Sequence, residues 1–339
     1  YSEENGLPVE ETTIAKFLQA GDYRTIALGK WHLGYAPHFH PLSRGFDDYF
    51  GFLQGARSYW PGKGTKLNEL LRDREPVEEK FDYMTLELGR QTAAYIEKHR
   101  EDPFFIYLAF NAVHTPMHAR EEDLREVPAN LPQRRRELIA MTHALDSAVG
   151  LVLDELKKQE LYDNTLVFFV NDNGGATTNA SGNAPLRGHK GQMFDGGIRV
   201  PFALQWPAKL PRGKEYDHPV IGLDILPTAL AAAGIEPALK NPLDGVNLLP
   251  FLTGKEDEPP HAELHWKAGA NWAIRQGDWK LLRQQGVELL LCNLAEDVSE
   301  SENLAAREPE RVEQLQAAHE AWAKELVAPR WGRGARERD

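Results

Sequence analysis

The sequence predicts an α/β protein with a doubly wound, mostly parallel sheet flanked by helices, followed by a small antiparallel sheet and a terminal helix. Segments with helical spacing alternate with short, continuous apolar runs along most of the chain. Strands that are apolar on both faces are typical of parallel sheets covered by helices. Near residue 255 the runs shorten and Gly, Asn and Asp separate them. This change predicts a main domain over residues 1–254 and a smaller subdomain over residues 255–339.

The first helix and strand are predicted close to the beginning of the sequence. The segment "LPVEETTIAKFLQAG" places apolar residues at three- and four-residue spacing, which predicts an amphipathic helix. Pro8 suits the first turn of this helix and Gly21 suits its end. The apolar run "RTIALG" follows directly and is predicted to be the first strand.

The same alternation recurs through the middle of the chain. The predicted elements, in order, are the helix "YMTLELGRQTAAYIEKHR", the strand "PFFIYLAF", the helix "RRRELIAMTHALDSAVGLVLDELKKQ", the strand "NTLVFFV", the strand "IRVPFALQWP" and the helix "GLDILPTALAAAGI". Each strand is apolar nearly throughout, which favours burial on both faces. We therefore expect these strands to belong to one parallel sheet.

The C-terminal part has shorter and more polar segments. "AELHWK", "NWAIRQGDWKLLR" and "VELLLCNL" are separated by turn residues, which predicts a small antiparallel sheet. A last amphipathic segment, "EPERVEQLQAAHEAWAKELV", is predicted to be a helix that packs on this sheet. Cys292 is the single cysteine of the chain and lies inside an apolar strand, so we predict a buried packing residue.

The composition excludes two kinds of partner. The 339 residues carry a formal net charge of -12, so there is no extended positive field and we expect no binding to nucleic acid. An anionic substrate would need a locally basic pocket. No apolar stretch approaches the roughly 18 to 20 residues of a membrane-spanning helix, so no transmembrane segment is predicted. The sequence leaves the oligomeric state open.

Polar side chains follow three of the predicted strands. Lys30 and His32 come after "TIAL", His114 comes after "FFIYLAF", and Asp172 and Asn173 come after "TLVFFV". Ligands of open parallel sheets bind beyond the carboxyl ends of the strands. A single histidine after a strand is more often structural and an Asp-Asn-Gly run is more often a turn. Their shared place at one sheet edge favours a site, in which the carboxylate and amide oxygens suit a hard cation.

A fourth segment, "APLRGHKGQMFDGGIRVP", is a glycine-rich loop that carries a further cation, Lys190. Arg187, His189 and Asp195 of the same loop are predicted to be scaffold residues. Elsewhere, the adjacent carboxylates in "RGFDDYFG" look like a metal pair, but we expect Asp47 to be a turn or cap residue.

These segments resemble a known family in their order along the chain. "GKWHLG" is similar to the second signature of the formylglycine-dependent sulfatases, and "RGFDDYFG" resembles the segment that follows it. The further matches, in family order, are "VHTP", "NDNGG", "RGHKGQMFDGGIRVP", "DILPTAL", "DGVNLLPFL", "AIRQGDWKLL" and "LLLCNLAEDVSESENLA". The resemblance implies an alkaline phosphatase-like fold, a catalytic domain over residues 1–254, and hydrolysis of sulfate esters, expected to be those of sulfated carbohydrates or a smaller sulfated molecule. It also favours a periplasmic or secreted location.

The resemblance assigns a role to each candidate residue. Asp172 and Asn173 match two calcium ligands of the family, and Ca²⁺ is the implied cofactor. His32 matches the histidine beside the nucleophile. Three further residues match groups that bind the sulfate oxygens and stabilise charge in the transition state, namely Lys30, His114 and Lys190.

The family nucleophile is missing from the sequence. It is a formylglycine made from Cys-x-Pro-x-Arg or Ser-x-Pro-x-Arg, and neither pattern occurs here. The first strand of the family, with its pair of metal-binding aspartates, is also missing. We expect both to precede Tyr1, which makes the domain N-terminally incomplete, and we expect residues 1–339 alone to release no sulfate.

Two other functions stay open at this stage. A phosphodiesterase or phosphonate hydrolase of the same superfamily would share the sheet, but its second transition metal would suit a histidine where this chain has Asn173. A non-catalytic module that binds sulfated glycans would keep the pocket alone. Arg57 and Trp60 are further candidates for contact with a sulfated sugar.

Overall fold

The computed structural model describes residues 5–62, 68–239 and 241–330. They divide into two compact units. The first unit comprises the described residues of 1–167, 204–216 and 221–256, and the second those of 168–203, 217–220 and 257–339. The predicted domain boundary at residue 254 stays a prediction. No helix in the described ranges combines the length and the apolar character needed to cross a bilayer.

The helices and strands follow the predicted order. The helices are α1 (Ile14–Ala20), α2 (Met84–Lys98), α3 (Glu121–Arg125), α4 (Gln133–Lys158), α5 (Asp195–Ile198), α6 (Ile225–Ala233), α7 (Leu249–Leu252) and α8 (Pro309–Ala323). The strands are β1 (Arg24–Lys30), β2 (Asp48–Phe52), β3 (Leu71–Arg72), β4 (Glu75–Pro76), β5 (Phe104–Ala109), β6 (Val167–Val170), β7 (Phe202–Gln205), β8 (Leu264–Ala268), β9 (Asn271–Gln276), β10 (Trp279–Arg283) and β11 (Leu290–Asn293).

A five-stranded sheet forms the centre of the first unit, in the order β4-β3-β2-β1-β5. β1 pairs in parallel with both β2 and β5, and the short β3 and β4 add an antiparallel hairpin at one edge. Leu28 of β1, Phe50 of β2 and Leu88 of α2 are buried together in one apolar core. The buried centre of the parallel part matches the continuous apolar runs in the sequence.

Three local features of this unit differ from the sequence-based expectations. α1 begins at Ile14, because the Thr13 hydroxyl accepts a hydrogen bond from the backbone N–H of Lys16 and caps the helix there, not at Pro8. β2 was not predicted as a strand because Gly51 interrupts its apolar run. At this position a Cβ atom would lie 2.0 Å from the carbonyl oxygen of Gly29, so glycine permits the close approach of β1. The charged edge hairpin was also not predicted.

β6 and β7 pair with each other in a separate two-stranded sheet. We expected both strands to extend the parallel sheet. An apolar run predicts a buried strand, but it does not specify which other strand pairs with it. The pairing of β6 with β7 depends on the tertiary structure.

The second unit contains the predicted antiparallel sheet, in the order β11-β10-β9-β8. Strand alternation gives the sheet two apolar faces. On one face, Leu282 and Cys292 pack with Phe194 of the glycine-rich loop. On the other face, Leu281 packs with Leu315 of α8. Cys292 is buried, as predicted, and burial raises the pKa of its thiol to about 12.

Candidate functional site

Lys30 and His32 lie where β1 ends. Trp31, between them, is buried and donates a hydrogen bond from Nε1 to the carbonyl of Phe39 at 2.8 Å, whereas His32 is exposed. The tryptophan side chain therefore lies in the core, whereas the side chain of His32 lies outside it and that of Lys30 is half-buried. His32 has a positive φ of 54°, a conformation that non-glycine residues rarely adopt.

His114 lies in the turn that follows β5. Its backbone N–H donates to the carbonyl of Asn111 at 2.8 Å. The buried Tyr59 hydroxyl donates to the carbonyls of both Asn111 and His114, at 2.7 and 2.8 Å, and so holds the two ends of the turn. His114 Nδ1 lies 2.8 Å from the carbonyl oxygen of Thr115. A carbonyl oxygen can only accept, so Nδ1 carries a proton and Nε2 is the nitrogen left for other contacts.

The two strand ends are neighbours in the sheet. Gly29 of β1 pairs with Ala109 of β5 in the parallel register. A Cβ atom at Gly29 would lie 2.2 Å from the carbonyl oxygen of Ala109, and the φ of Gly29 is +91°, so glycine is required where the strands approach most closely. The three predicted residues of the first unit, Lys30, His32 and His114, therefore follow adjacent strands at the same end of one sheet.

Asp172 and Asn173 follow β6 and belong to the second unit. Asp172 is exposed and Asn173 is half-buried. The next residue, Gly174, donates from its backbone N–H to the carbonyl of Gly197 at 3.0 Å. A Cβ atom at Gly174 would lie 1.9 Å from the carbonyl oxygen of Gly196. The glycine after the Asp-Asn pair is therefore needed for contact with the glycine-rich loop.

Lys190 is bound to the same strand end through its backbone. Its N–H donates to the carbonyl of Gly175 at 3.1 Å. The Asn183 side chain joins the two segments: its Nδ2 donates to the carbonyls of Gly175 and Gly188, at 3.1 and 3.0 Å, and its Oδ1 accepts from the N–H of Gly175 at 3.0 Å. The exposed Lys190 side chain is thus carried by a loop that is fixed against the Asp172-Asn173 segment.

The structure therefore brings the six candidate residues together as two groups of three. Lys30, His32 and His114 form the strand-end group of the first unit, and Asp172, Asn173 and Lys190 form the loop group of the second unit. Their convergence on a single pocket stays a prediction.

Asp172 and Asn173 supply some, but not all, of the oxygen ligands that a hard cation needs. The carboxylate of Asp172 and the amide oxygen of Asn173 are ligands that Ca²⁺ accepts, but Ca²⁺ takes about six to eight oxygen ligands. Within residues 5–62, 68–239 and 241–330, no group of three or more His, Cys, Asp or Glu side chains is arranged to hold a metal ion.

Several other candidates have structural roles. Arg57 is buried and forms an ion pair with Glu79 at 2.7 Å, so its predicted contact with a sugar is wrong. Trp60 packs against Tyr83, with 5.1 Å between the ring centroids. Part of the loop after Trp60, residues 63–67, lies outside the described residues.

Asp47 has a structural role, as expected, but it acts through a distant contact and not as the cap of a local turn. Its carboxylate accepts from the backbone N–H and the hydroxyl of Thr25, at 2.9 and 3.0 Å, which joins the start of β2 to β1. Sequence reasoning missed Tyr59 and Asn183. Tyr59 acts on a turn more than 50 residues away, which no local pattern indicates, whereas Asn183 bonds to glycines five and eight residues away within its own loop.

Two family models match the chain. The model of the sulfatase family matches residues 1–235, and the model for N-sulphoglucosamine sulphohydrolase, C-terminal, matches residues 189–325. The chain is 31% identical to the uncharacterized sulfatase YdeN of Escherichia coli (strain K12) in an alignment of 293 residues that covers 78% of this chain and 50% of that protein. It is 32% identical to N-acetylgalactosamine-6-sulfatase of Homo sapiens in an alignment of 263 residues that covers 73% of this chain and 49% of that protein.

The chain thus spans about half the length of the curated relatives it matches. A solved structure covers more of it: the crystal structure of Ps i-CgsB in complex with k-i-k-neocarrahexaose has a TM-score of 0.91 and 34% identity, over 98% of this chain and 78% of that chain. The predicted fold class, with an alkaline phosphatase-like sheet and a small antiparallel C-terminal sheet, is confirmed. On the extent of the family match, the chain belongs to the sulfatase family.

Proposed function

We propose that the protein is a sulfuric ester hydrolase that acts on sulfated carbohydrates. The observation that carries the proposal is the hydrogen bond from Lys190 N–H to the carbonyl of Gly175, which fixes a cationic loop beside the Asp172-Asn173 pair. A cation next to oxygen ligands for a metal suits an anionic ester. The names of two relatives refer to carbohydrate substrates or ligands, N-acetylgalactosamine-6-sulfatase and the neocarrahexaose complex.

The cationic and hydrogen-bonding side chains would bind the sulfate. Lys30 and Lys190 supply fixed positive charge, which compensates for the otherwise acidic chain. His114 can present Nε2 to a sulfate oxygen, because its Nδ1 is held by the Thr115 carbonyl. Such groups accelerate hydrolysis when they bind the transition state more strongly than the substrate. His32, next to Lys30 in the strand-end group, would transfer a proton beside the nucleophile.

The proposed reaction also needs a metal ion and a nucleophile, which these side chains do not supply by themselves. Asp172 and Asn173 would hold a Ca²⁺ ion together with ligands from elsewhere, and when bound the ion would polarise the sulfate ester. A covalent route also needs a nucleophile, and the 339 residues contain neither formylglycine precursor pattern. We therefore expect the 339-residue chain by itself to release no sulfate.

The test is sulfate release by the full-length gene product, expressed with a formylglycine-generating enzyme and assayed with Ca²⁺ on an aryl sulfate and a panel of sulfated saccharides. Turnover is expected on at least one saccharide. Lys190→Ala should lower kcat/KM by about 10²-fold, since a fixed charge on the reacting group is lost. Lys209→Ala, at an exposed lysine on another loop, is the matched control and should leave kcat/KM unchanged.

Three outcomes would contradict parts of the proposal. Sulfate release by the 339-residue chain alone would show that the nucleophile lies within it. Cleavage of phosphodiesters or phosphonates without cleavage of any sulfate ester would favour the superfamily alternative. Binding of sulfated saccharides without turnover of any ester would favour a glycan-binding module.

A further inference from the structure

A buried cluster of three charged side chains lies beneath the Lys190 loop. Lys280 of β10 is fully buried, and its Nζ donates to Asp195 Oδ1 at 2.6 Å and to Glu300 Oε1 at 2.7 Å. Asp195 and Glu300 are buried as well. Lys280 lies directly opposite Cys292 of β11, on the sheet face that packs against the glycine-rich loop. All members of the cluster belong to the second unit.

Stability alone is a poor reason for this arrangement. Two carboxylates share one fully buried ammonium group, the exposed Arg199 lies 3.8 Å from Asp195 as a second cation, and burial raises the pKa of the Glu300 carboxyl. Removing such charges from water costs free energy that their attraction often fails to recover, and apolar replacements of buried ion pairs are often neutral or stabilising. A buried charge cluster therefore suggests a requirement for geometry, and its hydrogen bonds show which segment it positions.

Glu300 holds both ends of the loop. Its carboxylate Oε2 accepts from the backbone N–H of Asp195 at 2.7 Å, and its backbone carbonyl accepts from Arg187 Nη1 at 2.8 Å. The backbone N–H of Gly196 donates to the carbonyl of Arg187 at 2.7 Å and closes the loop between these ends. Lys280 in turn donates to both carboxylates and so holds Glu300 and Asp195 next to each other. Glu300 itself has a positive φ of 51°, a conformation that needs such support.

The contacts of this closed loop connect Asp195 to the candidate residues Lys190, Asp172 and Asn173. Lys190 lies between the two ends that Glu300 holds. Directly after Asp195, Gly196 and Gly197 lie against Gly174, with the hydrogen bond from Gly174 N–H to the Gly197 carbonyl at 3.0 Å. A displacement of Asp195 would therefore move the contacts that fix the Lys190 loop against the Asp172-Asn173 segment. The cluster is the link between the antiparallel sheet and the sulfate-binding loop.

We propose that Lys280 is a positioning residue, which sets the place of Lys190 relative to Asp172 and Asn173 through its contacts with Asp195 and Glu300. The proposal rests on the proposed function of this site. It predicts that the cluster affects binding and turnover of the sulfate ester without touching the substrate. A positioning role also predicts that a cation of different shape restores part of the effect, because a guanidinium can still donate to two carboxylates.

The experiment compares Lys280→Met and Lys280→Arg in the full-length protein. Lys280→Met should lower kcat/KM about 30-fold per folded molecule, with a higher KM and a lower kcat, because a small misplacement of a binding group is costly. Lys280→Arg should recover at least half of this loss on a logarithmic scale. Amide hydrogen exchange of residues 187–197 should rise in Lys280→Met by a larger factor than exchange in β9, which reports the general loss of stability.

A milder variant keeps the test valid if Lys280→Met does not fold. Arg187→Met removes the hydrogen bond from an exposed arginine to the Glu300 carbonyl and the stacking of its guanidinium on Phe194, and leaves the buried charges in place. It should raise exchange in residues 187–197 and lower kcat/KM about threefold to tenfold. Lys267→Met, at an exposed lysine of β8, is the matched control and should change neither quantity.

The proposal is overturned if the cluster variants keep the wild-type kcat/KM and the wild-type exchange of the loop. It is also overturned if the loss of activity in Lys280→Met and Arg187→Met only follows the loss of folded protein, with the exchange of the loop unchanged. A wild-type protein without sulfatase activity would contradict the proposed function, but the exchange measurements would still test whether the cluster positions the loop.

Discussion

The two groups of candidate residues, one in each unit, are held in place by different means. The strand-end group of the first unit depends largely on the backbone of adjacent parallel strands, where Gly29 lets β1 approach β5. The loop group of the second unit depends on side chains that are distant in sequence. Lys280 lies 85 residues from Asp195, and the contact from Arg187 to Glu300 spans 113 residues.

This difference affects how each group responds to mutation. A sheet distributes its hydrogen bonds along a ladder, so the loss of one side-chain contact leaves most of the support in place. A loop held by a small buried cluster has fewer alternatives. We therefore expect the loop group to be more sensitive to mutation than the strand-end group.

Lys280→Met should cause the largest loss of stability. It removes the ammonium group that separates two buried carboxylates, and breaking a buried ion cluster in this way costs about 3–5 kcal/mol. The free energy of unfolding, measured with urea at neutral pH, would show this. The control Lys267→Met should stay within about 0.5 kcal/mol of wild type. A loss below about 1 kcal/mol in Lys280→Met would mean that the loop group is as tolerant as the strand-end group.

Acid should destabilise both units through one buried histidine in each. Burial lowers the pKa of His40 in the first unit and of His319 in the second unit to about 4. The positive charge of Arg74 adds to this effect at His40, and His265 and Lys267 add to it at His319. The unfolded chain, with a histidine pKa near 6.5, binds more protons between these values. Stability contributed by the neutral imidazoles is therefore present above about pH 6.5 and lost as the pH falls towards 4.

Each of these histidines should contribute on the order of 2 kcal/mol to the pH dependence. The check is the free energy of unfolding across this pH range for wild type, His40→Gln and His319→Phe. The second substitution keeps a ring against Trp272, whose centroid lies 4.3 Å from that of His319. Each substitution should flatten the pH dependence, and an unchanged slope in both variants would contradict the assignment.

Tyr59→Phe should have a moderate effect on the strand-end group. The variant leaves the carbonyls of Asn111 and His114 without their shared donor, which costs about 1–2 kcal/mol. Because β5 still holds the strand end, we expect KM for a sulfated saccharide to rise by less than about tenfold in the full-length protein, which is less than the effect of Lys280→Met. Tyr23→Phe, at a half-buried tyrosine outside the site, is the control. A rise in KM for Tyr59→Phe that exceeds the rise for Lys280→Met would show that the strand-end group is the more sensitive of the two.

Thr13→Ala should give the smallest change. The variant removes the N-cap of α1, where the hydroxyl accepts from the N–H of Lys16 at 3.2 Å. Loss of such a cap costs about 1 kcal/mol. Thermal unfolding would measure this loss, and kcat/KM of the full-length protein should be unchanged. A change in kcat/KM would show that α1 influences the strand-end group through β1.

The elements of the fold could be predicted where the sequence pattern is local. Continuous apolar runs identified β1 and β5, and helical spacing identified α2 and α4. The pattern failed where it was broken for a structural reason, as at Gly51 in β2, or where a strand was too short and too charged to be recognised, as in the hairpin of β3 and β4. The beginning of α1 was misplaced because a proline suits a first turn in general, whereas the Thr13 hydroxyl provides the actual cap.

The sequence by itself determined the chemistry of the candidate site, because residue types and their place after strands do not depend on distant contacts. The pattern placed Lys30, His114 and the Asp172-Asn173 pair after strands and Lys190 in a glycine-rich loop, and the family resemblance added the prediction that the three cationic or histidine side chains bind an anion. Only the tertiary structure decided which side chains hold these groups in place. Lys280 stands in an apolar strand beside two leucines, and nothing local indicates that its ammonium group meets Asp195 and Glu300. A buried charge is tolerated only where its partners are present, and those partners are brought together by folding.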